Sequence, residues 1–288
     1  MTGRQKVLVL GATGMLGNAV LRSFADSDHF DVAGTARSWG TARLLPEQVQ
    51  DRVLVGVDVE NPDSLMRAFN HARPDVVINC IGVVKQLADA NDPLVALPLN
   101  AILPHRIARL CALVSARFVH ISTDCVFSGR RGLYVEGDQP DATDLYGRSK
   151  LLGEVDAPHA ITLRTSIIGH ELAGAHGLVG WFLSQKQAVK GYRRAVFSGV
   201  PTVELARIIR DFVIPDGSLH GLHHVSAAPI DKFELLTLVG DVYDHRIGIA
   251  ADDTLVIDRS LDSSRFRAAT GYLPPSWPDL IRTMQRFG

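Results

Sequence analysis

Tyr146 and Lys150 lie one helical turn apart in the run Tyr146-Gly147-Arg148-Ser149-Lys150, and residues at i and i+4 share a helix face. A phenol beside an ammonium suits proton transfer to a carbonyl oxygen, because reducing a carbonyl by hydride builds negative charge there that must be protonated. A free phenol titrates near ~10, and a neighbouring ammonium is expected to lower that by stabilising the phenolate. Spacing alone is weakly specific, since a surface helix can carry both types by chance. The context adds more. Ser122-Thr123-Asp124 closes an apolar run, Phe118–Ser122, and open α/β sheets bind ligands at the carboxyl ends of their strands. Thr123 is then placed to fix the carbonyl oxygen against Tyr146.

The hydride source is written near the start. Gly11-Ala12-Thr13-Gly14-Met15-Leu16-Gly17 follows the apolar run Val7–Leu10 and opens an amphipathic segment. Gly11 serves the tight turn, Gly14 lets the backbone approach a pyrophosphate, and Gly17 permits close helix–strand packing. The free N–H groups of Thr13, Met15 and Leu16 and the positive end of the helix then face the phosphates of a dinucleotide. Twenty residues beyond Gly17 stand Arg37 and Ser38, with no Asp or Glu beside them. A guanidinium there suits a 2′-phosphate, so NADP(H) is favoured and NAD(H) is possible. Asp58 and Val59, just past the third strand, are placed at the adenine, whereas Asp31 reads as a turn residue. Cys80-Ile81-Gly82 would lie beneath the cofactor, and Lys150 can hold its ribose.

These residues need a scaffold, and the chain supplies one. It has 288 residues, 30 basic against 31 acidic side chains and 46% hydrophobic content. That balance suits an ordinary globular protein and gives no reason to expect a nucleic acid or an anionic membrane as partner. The longest apolar stretches, such as Val76–Val84, are far below the ~18 residues of a membrane span. A strand-like Lys6–Leu10 arrives without the apolar core of a signal peptide, so a cytoplasmic protein is expected. Three cysteines, Cys80, Cys111 and Cys125, without C-x-x-C spacing predict neither a disulfide framework nor a zinc site.

Val7–Leu10, Val32–Thr35, Val53–Val57, Val76–Cys80 and Phe118–Ser122 are short Val- and Ile-rich runs without period-2 alternation, as in strands buried on both faces. Helices are expected at Met15–Ala25, Pro62–Ala72 (capped by Asn61), Leu94–Ser115 with a kink at Pro104, and Leu145–Val155. The predicted fold is α/β: a Rossmann-type doubly wound parallel sheet with a smaller C-terminal substrate-binding subdomain. Residues 1–165, with roughly 203–226, form the NADP-binding domain, and 166–202 with 227–288 the subdomain. In that second part Ile161–Thr165 and Gly221–Ser226 read as strands and Gly169–Gly180 as a loop. Trp181–Val189, Val203–Phe212, Asp231–Val242, Ser263–Ala269 and Trp277–Phe287 read as helices.

The chain resembles the extended short-chain dehydrogenase/reductases, and within them the dTDP-4-dehydrorhamnose reductase group of nucleotide-sugar reductases. The resemblance is carried by Gly11–Gly17, Asn79–Gly82, Ser122–Gly129, Tyr146–Glu154 and Leu163–Ser166, and more loosely by Gly199–Thr202, Gly221–Ser226 and Arg259–Asp262. It implies Thr123, Tyr146 and Lys150 as catalytic residues and Asp124 as a sugar contact. Relatives of this kind often dimerise, so a homodimer is possible. Members usually carry Tyr after the Thr-Asp pair and Trp after the Arg-Thr-Ser run; this chain has Cys125 and Ile167, which puts the identity of the sugar in doubt. Trp181 and Phe182 are candidates for the missing aromatic surface, or else ordinary core, and Arg259 is the candidate for a substrate diphosphate.

The expected activity is NADPH-dependent reduction of a nucleotide-linked 4-keto-6-deoxy sugar. A thiol at Cys125 disfavours a dehydratase, whose members place Glu there. Two rivals remain: a nucleotide-sugar epimerase with tightly bound NAD, and a non-catalytic NADP-binding regulatory subunit. His220, His223 and His224 cluster in sequence, but strand alternation would send neighbours to opposite faces, and no metal is expected.

Overall fold

The computed structural model describes residues 3–83 and 88–288; the end of the apolar stretch Val76–Val84 lies outside them. Its main sheet contains β1 (Gln5–Leu10), β2 (Phe30–Ala36), β3 (Val53–Val55), β4 (Val76–Asn79), β5 (Arg117–Thr123), β6 (Ala160–Thr165) and an edge strand, Gly221–His224. They lie in the order edge strand, β6, β5, β4, β1, β2, β3, and every pairing is parallel. The strand order reverses between β1 and β4, so a crevice opens at their carboxyl ends, where this architecture places its ligands.

Successive side chains of a strand point to opposite faces, and both faces are covered. Val7 and Val9 of β1 join a core with Leu16, Val20 and Phe24 of the helix Met15–Ala25 and Leu205 of the helix Thr202–Ile208. Leu8 and Leu10 join a second core with Leu65 and Phe69 of the helix Pro62–Ala72 and Leu103 and Ile107 of the helix Leu103–Leu113. The Pro62–Ala72 helix starts as its sequence dictates: Asn61 Oδ1 accepts from the N–H of Asp63 at 2.9 Å and of Ser64 at 3.1 Å, and Pro62 needs no donor there.

Four expectations change. Asp31 lies inside β2, exposed and in register with Lys6, so it is a strand residue rather than a turn residue. The helix expected over Leu94–Ser115 is interrupted: an α-turn at Pro93–Ala96 widens into a π-helical segment, Leu97–Ile102, before Leu103–Leu113. Pro98 and Pro104 lack the N–H groups that a regular helix would use, and a π segment accommodates the mismatch. A helix occupies Leu178–Ser184, beginning inside the expected loop Gly169–Gly180. Val189, expected at a helix end, instead starts the strand Val189–Tyr192, which pairs with Ile249–Asp252 and seats Gly191 against Ile249 and Phe233.

Further small sheets complete the C-terminal part: Ile167–Ile168 pairs with Val200–Pro201, and Ala195–Phe197 pairs with Ile230–Asp231 and Ile257–Asp258. Among the described residues no helix is long and apolar enough to cross a membrane.

Candidate active site

The glycine turn is built by contact distances that leave no room for side chains. Gly11 has φ +79°, and a Cβ at Gly17 would sit 2.0 Å from the carbonyl oxygen of Gly11. The turn is pinned to β2, because the N–H of Gly11 donates to Thr35 Oγ1 at 3.1 Å and that of Ala12 to the Thr35 carbonyl at 3.0 Å. Gly14 takes the N-cap position without any side-chain cap, so the first-turn N–H groups of Met15 and Leu16 remain for a ligand. This uncapped cradle fits the pyrophosphate of a dinucleotide.

Arg37 and Ser38 stand just beyond β2, exposed. Among the described residues the Arg37 side chain makes no hydrogen bond or ion pair, whereas Ser38 Oγ caps the short helix Trp39–Ala42 by accepting from Thr41 N at 3.4 Å. Asp58 is exposed and accepts from the N–H of Glu60 at 3.0 Å, and Val59 is buried. These four residues lie beyond the lining of the two cavities described next.

Gly14, Met15 and Leu16 meet Cys80, Ile81 and Gly82, Ser122 to Cys125, Tyr146 and Lys150 around a cavity of about 280 Å³. A neighbouring cavity of about 410 Å³ shares Gly14, Met15, Gly82, Ser166 and Ile167 with it and is also lined by Thr13, Phe197 and Lys232. The crossovers thus bring the glycine turn, the strand-end Thr123 and the Tyr146 helix, Leu145–Leu152, to one crevice.

Within it Thr123 is the hub. Its Oγ1 donates to Asp124 Oδ1 at 3.2 Å and accepts from the N–H of Cys125 at 3.1 Å, and the same hydroxyl acts on the Tyr146 phenol in favour of its ionised form. Lys150 is buried, and its Nζ donates to the carbonyl of Ile121 at 2.8 Å. Burial pulls Lys150 down to about 8, with the charge of Glu154 foremost in opposing the fall and Cys80 next.

The expected lowering of the Tyr146 pKa is not what this site produces. Burial raises it, Cys125, Asp124 and Asp144 add to the rise, and only the Thr123 hydroxyl works against it. The Lys150 ammonium, hydrogen-bonded to the Ile121 carbonyl, is not among the groups that act on the phenol, while burial and the Asp124 and Asp144 carboxylates favour its neutral form. Tyr146 is therefore held as a neutral phenol, the form that donates a proton. Burial also raises Asp124, offset chiefly by Arg259, whose Nε donates to the carbonyl of Phe127 at 2.8 Å. Cys80 is pushed up to about 12 by burial, which makes it a packing thiol rather than a nucleophile.

Three residues to which the sequence reading gave no role complete the surroundings. Glu154 accepts from Ser122 Oγ at 2.7 Å and takes Arg164 in a two-pronged pair at 2.6 and 2.7 Å. Asn100, fully buried in the π segment, accepts from the N–H of Val83 at 3.0 Å and donates to Ser149 Oγ at 3.2 Å. It ties the floor after β4 to the Tyr146 helix. Lys232 enters from the small C-terminal sheets. Trp181 and Phe182 stay apart: Trp181 is exposed and lines neither cavity, and Phe182 is core, packed edge-on against His245. Among the described residues no group of three or more His, Cys, Asp or Glu side chains could hold a metal; His224 Nδ1 is 3.0 Å from the Tyr134 carbonyl and His223 Nε2 is 3.2 Å from that of His220.

The chain is similar over its full length to the crystal structure of dTDP-4-dehydrorhamnose reductase from Bacillus anthracis in complex with NADP (TM-score 0.81, 21% identity, covering 99% of this chain and 100% of that one). At that identity the likeness establishes the fold. Among curated proteins, a probable low-salt glycan biosynthesis reductase, Agl14 of Haloferax volcanii, is 33% identical over 60% of this chain and 57% of its own length. The dTDP-4-dehydrorhamnose reductase of Mycobacterium tuberculosis is 32% identical over 58% of this chain and 51% of its own. The chain thus spans between half and three-fifths of the length of these two reductases. Methionine adenosyltransferase 2 subunit beta of Danio rerio is 29% identical over 84% of this chain and 75% of its own. Residues 5–190 match the RmlD substrate binding domain, and the chain belongs to that family.

Proposed function

We propose that this protein is an NADPH-dependent oxidoreductase that reduces the keto group of a nucleotide-linked 4-keto-6-deoxy sugar, in the supply of a polysaccharide or glycan precursor. The observation that carries the reading is the meeting of Thr123, Tyr146 and Lys150 with the uncapped turn Gly14–Leu16 around one cavity. The names of the Haloferax and Mycobacterium relatives point the same way.

When bound, the nicotinamide supplies the hydride that reaches the keto carbon. The chain's residues do the rest. The N–H groups of Met15 and Leu16 would hold the pyrophosphate, and Arg37 would meet the 2′-phosphate. Thr123 Oγ1 orients the carbonyl oxygen toward the phenol. Tyr146, neutral in the resting site, gives its proton to that oxygen as charge develops, so hydride and proton together turn C=O into CH–OH. Lys150 would hold the nicotinamide ribose in place of the Ile121 carbonyl, and its positive charge would stabilise the phenolate left behind. Asp124 faces the sugar.

Mixing the protein with NADPH and a panel of nucleotide 4-keto sugars, while following absorbance at the nicotinamide band, tests this directly. Oxidation with one sugar is expected, and no oxidation with any would refute it. The subunit-beta relative favours a second reading, a non-catalytic NADP-binding subunit. The shared cavity of Thr123, Tyr146 and Lys150 weighs against it, since binding alone needs no such convergence. A Tyr146→Phe protein that matches the wild type in every assay would restore it.

A further inference from the structure

Lys232 opens the helix Lys232–Val242, and its side chain reaches the cavity shared with Gly14, Met15 and Ser166. Its Nζ stands 4.1 Å from the centroid of the Phe197 ring. Among the described residues no oxygen accepts a hydrogen bond from it, and no carboxylate lies at ion-pair distance. A half-buried ammonium that rests on a ring face at the edge of a cavity still has donors to offer, because the ring occupies only one side of it. What fills the cavity can accept from it.

The neighbourhood says what kind of acceptor. Asp124 lines the cavity of Tyr146 and Lys232 the adjoining one, the two cavities share Gly14, Met15, Gly82, Ser166 and Ile167, and the charge of Asp124 favours the protonated form of Lys232. A phosphate would be repelled by the carboxylate, and the phosphate cradle is already formed at Gly14–Leu16. A hydroxyl both donates and accepts, so two adjacent hydroxyls satisfy both charges at once. Ile167 borders both cavities and Cys125 one of them. Neither carries a polar group that could pair with the ammonium or the carboxylate as strongly as a hydroxyl would, so the polar pair stays open to a ligand.

Resting on the reductase reading above, we propose that Lys232 is a substrate-contacting specificity residue, pairing with Asp124 to read two neighbouring ring hydroxyls of the keto sugar. Asp124 accepts from one hydroxyl, and Lys232 donates to the oxygen of the next.

The test uses the full chain, NADPH, the nucleotide 4-keto sugar that it reduces, and analogues of that sugar lacking the 2- or the 3-hydroxyl. The wild type should prefer the parent over one analogue by about ten- to a hundredfold in kcat/KM, the worth of a hydrogen bond to a charged group. Lys232→Met keeps the aliphatic stem over Phe197 and removes the ammonium. It should lose most of that preference through a higher KM for the parent, with KM for NADPH within about twofold. Lys232→Arg should retain the preference. A Lys232→Met protein that keeps the wild-type preference, a wild type that shows none, or a rise confined to KM for NADPH would overturn the proposal. If Lys232→Met does not bind NADPH, Lys232→Gln carries the same comparison. Failure of the wild type to reduce any keto sugar would remove the reductase reading itself, a result distinct from a surviving preference in the variant.

Discussion

Replacing Glu154 by Gln should lower stability and shift the pH profile together. The Glu154 carboxylate is 13% exposed and the Arg164 guanidinium 4%, and they meet at 2.6 and 2.7 Å. In the glutamine variant one oxygen can still accept from Arg164 or Ser122, but the amide NH₂ faces a second N–H donor. Breaking a buried pair costs about 3–5 kcal/mol, and the surviving acceptor places this variant near ~3. At about 2–4 °C per kcal/mol for a domain of roughly this size, Tm should fall by roughly 6–12 °C. The second consequence follows from Lys150, whose pKa lies near about 8 and is held up first by the Glu154 charge. Without that charge Lys150 loses its proton at lower pH, so the alkaline limb of kcat/KM for NADPH-dependent reduction must move to lower pH. Calorimetry and a pH series of initial rates read both effects. A Tm within about 2 °C of wild type would show that the pair contributes little, on the same stability scale. An alkaline limb unmoved or displaced upward would show that Glu154 does not act on Lys150.

Other perturbations isolate single parts of the site. Tyr146→Phe should reduce kcat by about 10²–10⁴ while leaving NADPH binding and Tm nearly unchanged, as steady-state rates and fluorescence titration would reveal. Gly17→Ala forces a methyl against the Gly11 carbonyl at 2.0 Å, backbone on backbone, so Tm should drop by several degrees and NADPH affinity with it; equal affinity would mean that the turn is loose. Arg37→Ala should cut the preference for NADPH over NADH by about ten- to a hundredfold, measured as the ratio of kcat/KM values, and an unchanged ratio would assign the 2′-phosphate elsewhere.

What could be read from the amino acids divides by how local the cause is. The glycine turn, the strand-end Ser122-Thr123-Asp124 and the Tyr146 helix are each set by a few adjacent residues, and the parallel sheet follows from Val- and Ile-rich runs separated by helix-length segments. Asn61 and Pro62 mark a helix start to the residue for the same reason. Pro98 and Pro104 interrupt a helix locally, whereas other misplaced features had non-local causes. Val189–Tyr192 is a strand because Ile249–Asp252, some sixty residues later, lies beside it, and no window around Val189 contains that partner. Trp181 has the right chemistry for a sugar pocket, but its place on an exposed helix face is decided by Phe182 burying into the core one residue on. Local pattern fixes which elements form and leaves open which faces they turn inward.

The same division explains why the proton chemistry came out with the opposite sign at one residue. Tyr-x-x-x-Lys encodes that a phenol and an ammonium share a helix face, and from that alone a lowered phenol pKa follows. The fold adds groups that the motif does not contain: the Ile121 carbonyl that occupies the ammonium, and Asp124 and Cys125 arriving from the end of β5 to face the phenol. With the ammonium on the Ile121 carbonyl the resting phenol keeps its proton, and in the proposed mechanism the lysine would exchange that carbonyl for the ribose when the coenzyme arrives. On this argument the phenolate-stabilising charge reaches the phenol only after binding. The Tyr146 pKa followed by ultraviolet titration should therefore fall when NADP⁺ is added, and a value indifferent to the coenzyme would mean that Lys150 never makes the exchange.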